Sequence, residues 1–104
     1  SVMVEAGAGL TRSRRAMAFA GLIAVMIPVD QKGRVAAEPA LLLEGIPEAV
    51  HEPVRQALDG ALKRYNPKRD GEENLRETVR RAIRRAANDA WGKKPVTRVT
   101  VVEV

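Results

Sequence analysis

Residues 16 to 29, AMAFAGLIAVMIPV, form the longest apolar run of the chain and stop abruptly at Asp30-Gln31-Lys32-Gly33. At fourteen residues the run falls short of the roughly 20 that a membrane helix needs. Ile23, Val25, Ile27 and Val29 place β-branched side chains at every second position, which suits a pleated strand better than a helix. The alternate positions are apolar too, so the run predicts a buried, central strand. A signal peptide also sets an apolar stretch behind basic residues, as Thr11 to Arg15 precede this one, but no small-residue cleavage site followed by a mature domain is apparent.

The loop after this run has Asp at its first position and Gly at its last, a hairpin signal. Residues 34 to 44, RVAAEPALLLE, are therefore expected to return antiparallel. Pro39 lacks a ladder donor and assigns this strand to an edge or gives it a bulge. At Gly45-Ile46-Pro47 the period changes. Val54, Ala57, Leu58, Ala61, Leu62 and Tyr65 recur at spacings of three and four, the stripe of an amphipathic helix. That helix opens either at Pro47, with a kink at Pro53, or at Pro53 itself, and Asn66-Pro67 ends it.

Asp70 and Glu73, three apart, predict a capped start for a second helix. Leu75, Val79, Ala82, Ile83, Ala86 and Ala90 are its expected buried stripe. Gly92 is a left-handed stop, Lys93 and Lys94 suit the negative end of the helix dipole, and Pro95 prevents continuation. Val96 to Val104 alternate as a third strand. The chain thus reads as an α+β domain, a three-stranded sheet faced by two antiparallel helices in the order β-β-α-α-β. Whether the last strand pairs beside the first or the second is open. Residues 16–104 are the expected domain, and residues 1–15, with Gly7 and Gly9, read as a linker or a lead-in from an upstream region.

A chain of 104 residues is one domain. Absence of cysteine removes disulfides and thiolate zinc sites and fits a reducing, cytoplasmic compartment. The single histidine, His51, has no Cys, His or paired carboxylate pattern around it. No Gly-rich phosphate loop, nucleophile elbow or spaced carboxylate pair occurs, so neither catalytic nor metal-binding residues are assigned. No membrane association is expected.

A net charge of +5 admits an acidic partner, with nucleic acid the commonest. Arg76, Arg80 and Arg84, with Arg81 and Arg85 beside them, are expected to face outward from the second helix, where guanidinium groups can track phosphates without reading bases. The alternative is a solvated face, because Glu72 precedes Arg76 by four and Glu77 precedes Arg81 by four, the spacing of helical ion pairs. Arg12, Arg14 and Arg15 form a second basic cluster, read as RNA steering or as linker charge. With aromatics at 3% the chain is a poor base-stacking platform. Trp91 either closes the aliphatic core or anchors an interface, for which Val99 and Val101 of the last strand are the other candidates.

Arg14, Arg15 and Ala18 to Val29, the segment Leu75 to Ala86, and the ending Gly92-Lys93-Lys94-Pro95 with Val101-Val102-Glu103-Val104 resemble the C-terminal domain of ribonuclease J. The resemblance covers nearly the whole chain from Arg14 onward. It implies a parent of the metallo-β-lactamase and β-CASP type, a zinc-dependent ribonuclease that processes and degrades bacterial RNA by 5′-to-3′ exonucleolytic and endonucleolytic hydrolysis. That family holds zinc through a His-x-His-x-Asp-His cluster, which maps onto no position here, so zinc is expected in an upstream catalytic domain. The implied role is a non-catalytic accessory and oligomerisation domain, partnered by the upstream domains, by RNA through the parent, and by a second protomer. Two other readings stay open: a stand-alone small RNA-binding or ribosome-associated protein, and a module that recruits another RNA-decay factor.

Overall fold

The computed structural model describes residues 20–104. Strand β1 spans Leu22–Val29, β2 Ala40–Glu44, helix α1 Glu48–Arg64, α2 Glu72–Trp91 and β3 Val96–Glu103, the expected β-β-α-α-β order. The three strands lie in the order β2-β1-β3. β1 is thus the central strand its apolar sequence predicts. β2 pairs with it antiparallel, from Leu22 opposite Glu44 to Met26 opposite Ala40. β3 settles the open question of sheet order: it lies on the other side of β1, parallel to it, and pairs along its whole length from Leu22 opposite Val96 to Val29 opposite Glu103.

Strand alternation divides the sheet into two faces. Ile23, Val25, Ile27 and Val29 are buried under the helices, joined by Val99 of β3 and, half-buried, by Leu41, Leu43 and Val101. From the helices Val50, Val54, Leu58 and Ala61 of α1 and Leu75, Val79, Ile83 and Ala87 of α2 complete this core. The core is aliphatic, with Tyr65 and Trp91 packed at its margin. No helix of the described residues is long and apolar enough to cross a membrane.

Pro28 sits in the central strand, where a missing N–H normally breaks a ladder. It does no harm here. Its carbonyl accepts from Ala36 at 2.9 Å, on the side where the β2 ladder has already ended. The missing donor therefore faces the β2 side, beyond the end of that ladder, and the pairing with β3 runs on past Pro28 to Val29.

Several local expectations are corrected. The returning strand begins at Ala40, not at residue 34, and residues 34–39 contribute a single bridge between Val29 and Val35. The reason lies in Asp30, whose Oδ1 accepts from the backbone N–H groups of Lys32 and Arg34 and rolls the chain into a wider turn. Pro39 then lies just outside the ladder it cannot join. Of the two openings left for α1 the earlier one holds: it starts at Glu48, after Pro47, and carries Pro53 within it. The Asp70–Glu73 capping box does not form: the cap residue of α2 is Gly71, without a side-chain bond. Asp70 is occupied elsewhere, accepting from the Asn66 backbone at 3.0 Å and from the Arg69 guanidinium at 3.0 Å. The buried line of α2 ends on Ala87, while Ala86 is half-buried and Ala90 exposed. Gly92 does end α2 in the left-handed conformation, at φ 78°, with its N–H bonded to the Asn88 carbonyl.

Candidate nucleic-acid interface

Helix α2 packs its Leu75–Ala87 line into the core and must turn its remaining residues toward solvent or toward its flanks. The arginines divide accordingly. Arg81 and Arg85 are exposed, whereas Arg76, Arg80 and Arg84 are half-exposed on the flanks of the outward face.

Ion pairing divides them again. Arg76 donates to Glu73 at 2.8 Å and to Glu72 at 3.5 Å. Arg80 grips Glu77 through Nε and Nη2, and these bonds, the largest influence on it, hold the Glu77 carboxyl below its usual range. Arg81 reaches the same carboxylate only at 3.8 Å and keeps a side chain 77% exposed. Both pairs inferred from the four-residue spacing are therefore present, and bonds at a spacing of three supplement them. All of these acids lie in the first half of α2, which suits the positive end of its dipole.

Past Glu77 the balance changes. A surface groove of about 680 Å³ runs along α2 from Thr78 to Asp89 and is lined by Arg64, Arg80, Arg81, Arg84, Arg85 and Lys94, with Asp89 the one acid among its lining residues. Arg64, Arg84, Arg85 and Lys94 make no ion pair among the described residues. Arg84 stands out because its Nε–H is buried and has no acceptor among the described residues. A buried donor without a partner is costly.

Arg64 and Lys94 were not among the residues picked out by sequence for this surface. Arg64 arrives because α1 and α2 are antiparallel, which sets the end of α1 beside Thr78. Lys94 arrives from beyond the Gly92 stop. The signal available was modest: two cations placed at helix C-termini, read only as dipole partners. Lys93, read the same way, instead places its ammonium 5.0 Å above the Trp91 ring.

Trp91 is half-buried against the core, the structural one of its two expected roles. Val99 is buried beneath the helices and Val101 half-buried there, so neither offers a free side chain to a partner in this domain. His51 donates from Nε2 to the Ile46 carbonyl at 2.9 Å and ties the start of α1 to the loop before it. Arg12, Arg14 and Arg15 lie outside the described residues.

The described residues form a two-layer α+β domain with one basic helical surface and a sheet face that no other described element covers. Comparison with known proteins gives it a family. The model of the ribonuclease J C-terminal domain matches residues 9–104, and the chain belongs to that family. It is also 34% identical over 98 residues to a curated ribonuclease J of Sinorhizobium meliloti, covering 88% of this chain. The match spans only 17% of that relative's length.

Proposed function

We propose that this chain is the non-catalytic accessory and oligomerisation domain of a ribonuclease J, a zinc-dependent enzyme that hydrolyses RNA from the 5′ end and internally in the bacterial cytoplasm. The metallo-β-lactamase and β-CASP domains that bind zinc and cut RNA belong to the part of the parent upstream of this chain. Family membership supports the parent's identity, and the sheet supports the domain's own role.

The observation that carries the role is the face of the sheet turned away from the helices. Alternation and register put Leu22, Ala24, Met26 and Pro28 of β1 on that face, beside Ala40 and Leu42 of β2 and Val96 and Val102 of β3. Met26 is 48% exposed, Leu42 52% and Val96 48%. Single exposed apolar residues are ordinary, but the apolar row along β1, joined by Ala40 and Leu42 and bordered by Arg98 and Thr100 of β3 and Glu44 of β2, is a contact surface. Two such faces related by a two-fold axis bury each other as stacked sheets do, about 10 Å apart. On this reading the contact falls on the open face rather than on Val99 and Val101.

The test is the mass of the full-length enzyme by gel filtration with light scattering, unaltered and as Met26→Glu and Leu42→Glu. The expected result is an oligomer that falls to a single protomer in both variants. A single-protomer mass for the unaltered enzyme removes the oligomerisation role.

A second reading, a stand-alone basic RNA-binding protein, is favoured by the arginine surface of α2. The reading frame upstream of Ser1 separates the two: a His-x-His-x-Asp-His motif there supports the accessory domain, and a start codon near Ser1 supports the stand-alone protein.

A further inference from the structure

The open sheet face and the helical layer lie on opposite sides of β1, so a contact on the first leaves the second free. The helical layer carries the groove along α2, whose charge is unlike the rest of the helix. Its first-half arginines, Arg76 and Arg80, are neutralised by Glu72, Glu73 and Glu77. Of the later ones Arg81 shares Glu77 only at 3.8 Å, Arg84 and Arg85 make no ion pair among the described residues, and Arg64 and Lys94 join this weakly paired set in lining the groove. From Thr78 to Asp89 the helix rises about 16 Å at 1.5 Å per residue. Cations over that length suit an extended polyanion better than a single small ion.

Arg84 gives the groove its chemical preference. Its buried Nε–H faces no acceptor among the described residues. A guanidinium offers donors in a planar fork, and phosphate oxygens match that fork in pairs. The surroundings speak against base recognition. Trp91 is the nearest ring by sequence, and it is half-buried against the core with Lys93 above it. No aromatic side chain lines the groove, so bases have nothing to stack on.

We propose that the groove along the C-terminal half of α2 binds one phosphodiester strand of nucleic acid, gripping phosphate oxygens through Arg81, Arg84, Arg85, Arg64 and Lys94 and reading neither base nor sugar. Arg76 and Arg80 serve the fold instead, holding the acids of the first half. The division assigns different roles to arginines that look equivalent in sequence.

The experiment is binding of fluorescein-labelled 20-nucleotide U, A and deoxy-T strands to the 104-residue chain, by anisotropy across a salt series, with circular dichroism confirming the fold of each variant. The three strands are expected to bind within about threefold of one another, with affinity falling by roughly 0.7 log unit per log unit of salt for each phosphate engaged. Arg84→Ala, and Arg81→Ala with Arg85→Ala, are expected to weaken binding at least tenfold and to flatten that slope, while Arg76→Ala changes it less than twofold. Arg64→Ala and Lys94→Ala, outside α2, repeat the test should an α2 variant fail to fold. Preference of tenfold or more for one strand overturns the claim that base and sugar are not read. Equal loss in Arg76→Ala and Arg84→Ala overturns the division of the arginines. Absence of binding at low salt, or binding only of an acidic polypeptide such as poly-glutamate, overturns the site as a nucleic-acid groove. Each of these outcomes leaves the oligomerisation test unaffected.

Discussion

The Tyr65 hydroxyl donates a 2.7 Å hydrogen bond to the carbonyl of Gly33, fastening the end of α1 to the loop between β1 and β2. Tyr65→Phe keeps the packed ring and removes only that bond, so a loss of about 1 kcal/mol is expected in chemical denaturation. Burial, above all, pushes the Tyr65 hydroxyl up from its ordinary value of 10.0. A raised value means the neutral form is favoured by folding: stability holds below pH 10 and falls as pH rises beyond it. Tyr65→Phe is expected to remove that alkaline loss. An unchanged alkaline midpoint in the variant contradicts the assignment.

Gly33 meets the same hydroxyl from the other side. Its φ is 81°, and a Cβ there would lie 3.2 Å from the Tyr65 oxygen. Gly33→Ala is expected to cost roughly 1–2 kcal/mol from the left-handed backbone alone. Gly71→Ala, where a Cβ meets nothing within 4 Å and φ is ordinary, is the comparison and is expected to cost less than Gly33→Ala, about 0.5 kcal/mol from the preference of the cap position for Gly over Ala.

Ala87 and Ala90 separate a buried position from an exposed one on α2. Ala87→Leu forces extra volume into a closed core and is expected to destabilise by about 1–3 kcal/mol. Ala90→Leu is expected to change stability by less than about 0.5 kcal/mol. Thermal unfolding of both variants checks the pair, and a reversed order refutes the assigned helix face.

Three carboxylates set the response to acid. Asp30 is lowered from 3.8 chiefly by the Arg34 backbone N–H, Asp70 from 3.8 by the Arg69 guanidinium, and Glu77 from 4.5 by Arg80. Lowered values mean that the ionised forms favour folding, so their contribution is complete above the ordinary values and lost as pH falls below them. The thermal midpoint is expected to be level from pH 7 to about 5 and to decline below that. Glu77→Gln is expected to make the decline shallower, because one of the three groups no longer titrates. A midpoint flat down to pH 2 rules the mechanism out.

The central place of β1 was legible because Ile23, Val25, Ile27 and Val29 alternate within a wholly apolar run, although only that alternate set is buried and Met26 on the other face is exposed. The left-handed end of α2 was legible from Gly92 and Pro95 for similarly local reasons. Sheet order was not, since parallel pairing of β1 and β3 depends on how the helix pair returns the chain. The shift from Ala90 to Ala87 escaped because alanines at 86, 87 and 90 differ in position but not in chemistry. Asp70 misled because a carboxylate beside Arg69 has a stronger partner than a helix N–H. Among the arginines, the pairs with Glu72 and Glu77 follow from spacing alone. The isolation of Arg84 does not, and the arrival of Arg64 and Lys94 needs the tertiary fold.

The register that joins Leu22 to Val96 puts the first described strand beside the last. During synthesis β2 and both helices emerge before the strand that closes the other edge of β1. Until then the central strand presents an open row of amide groups, and Val99 has yet to fill its place in the core. The sheet is therefore complete only once Val96–Glu103 has been made, and a ribosome that stalls ahead of Val96 leaves an unfinished sheet exposed for chaperones and proteases to find.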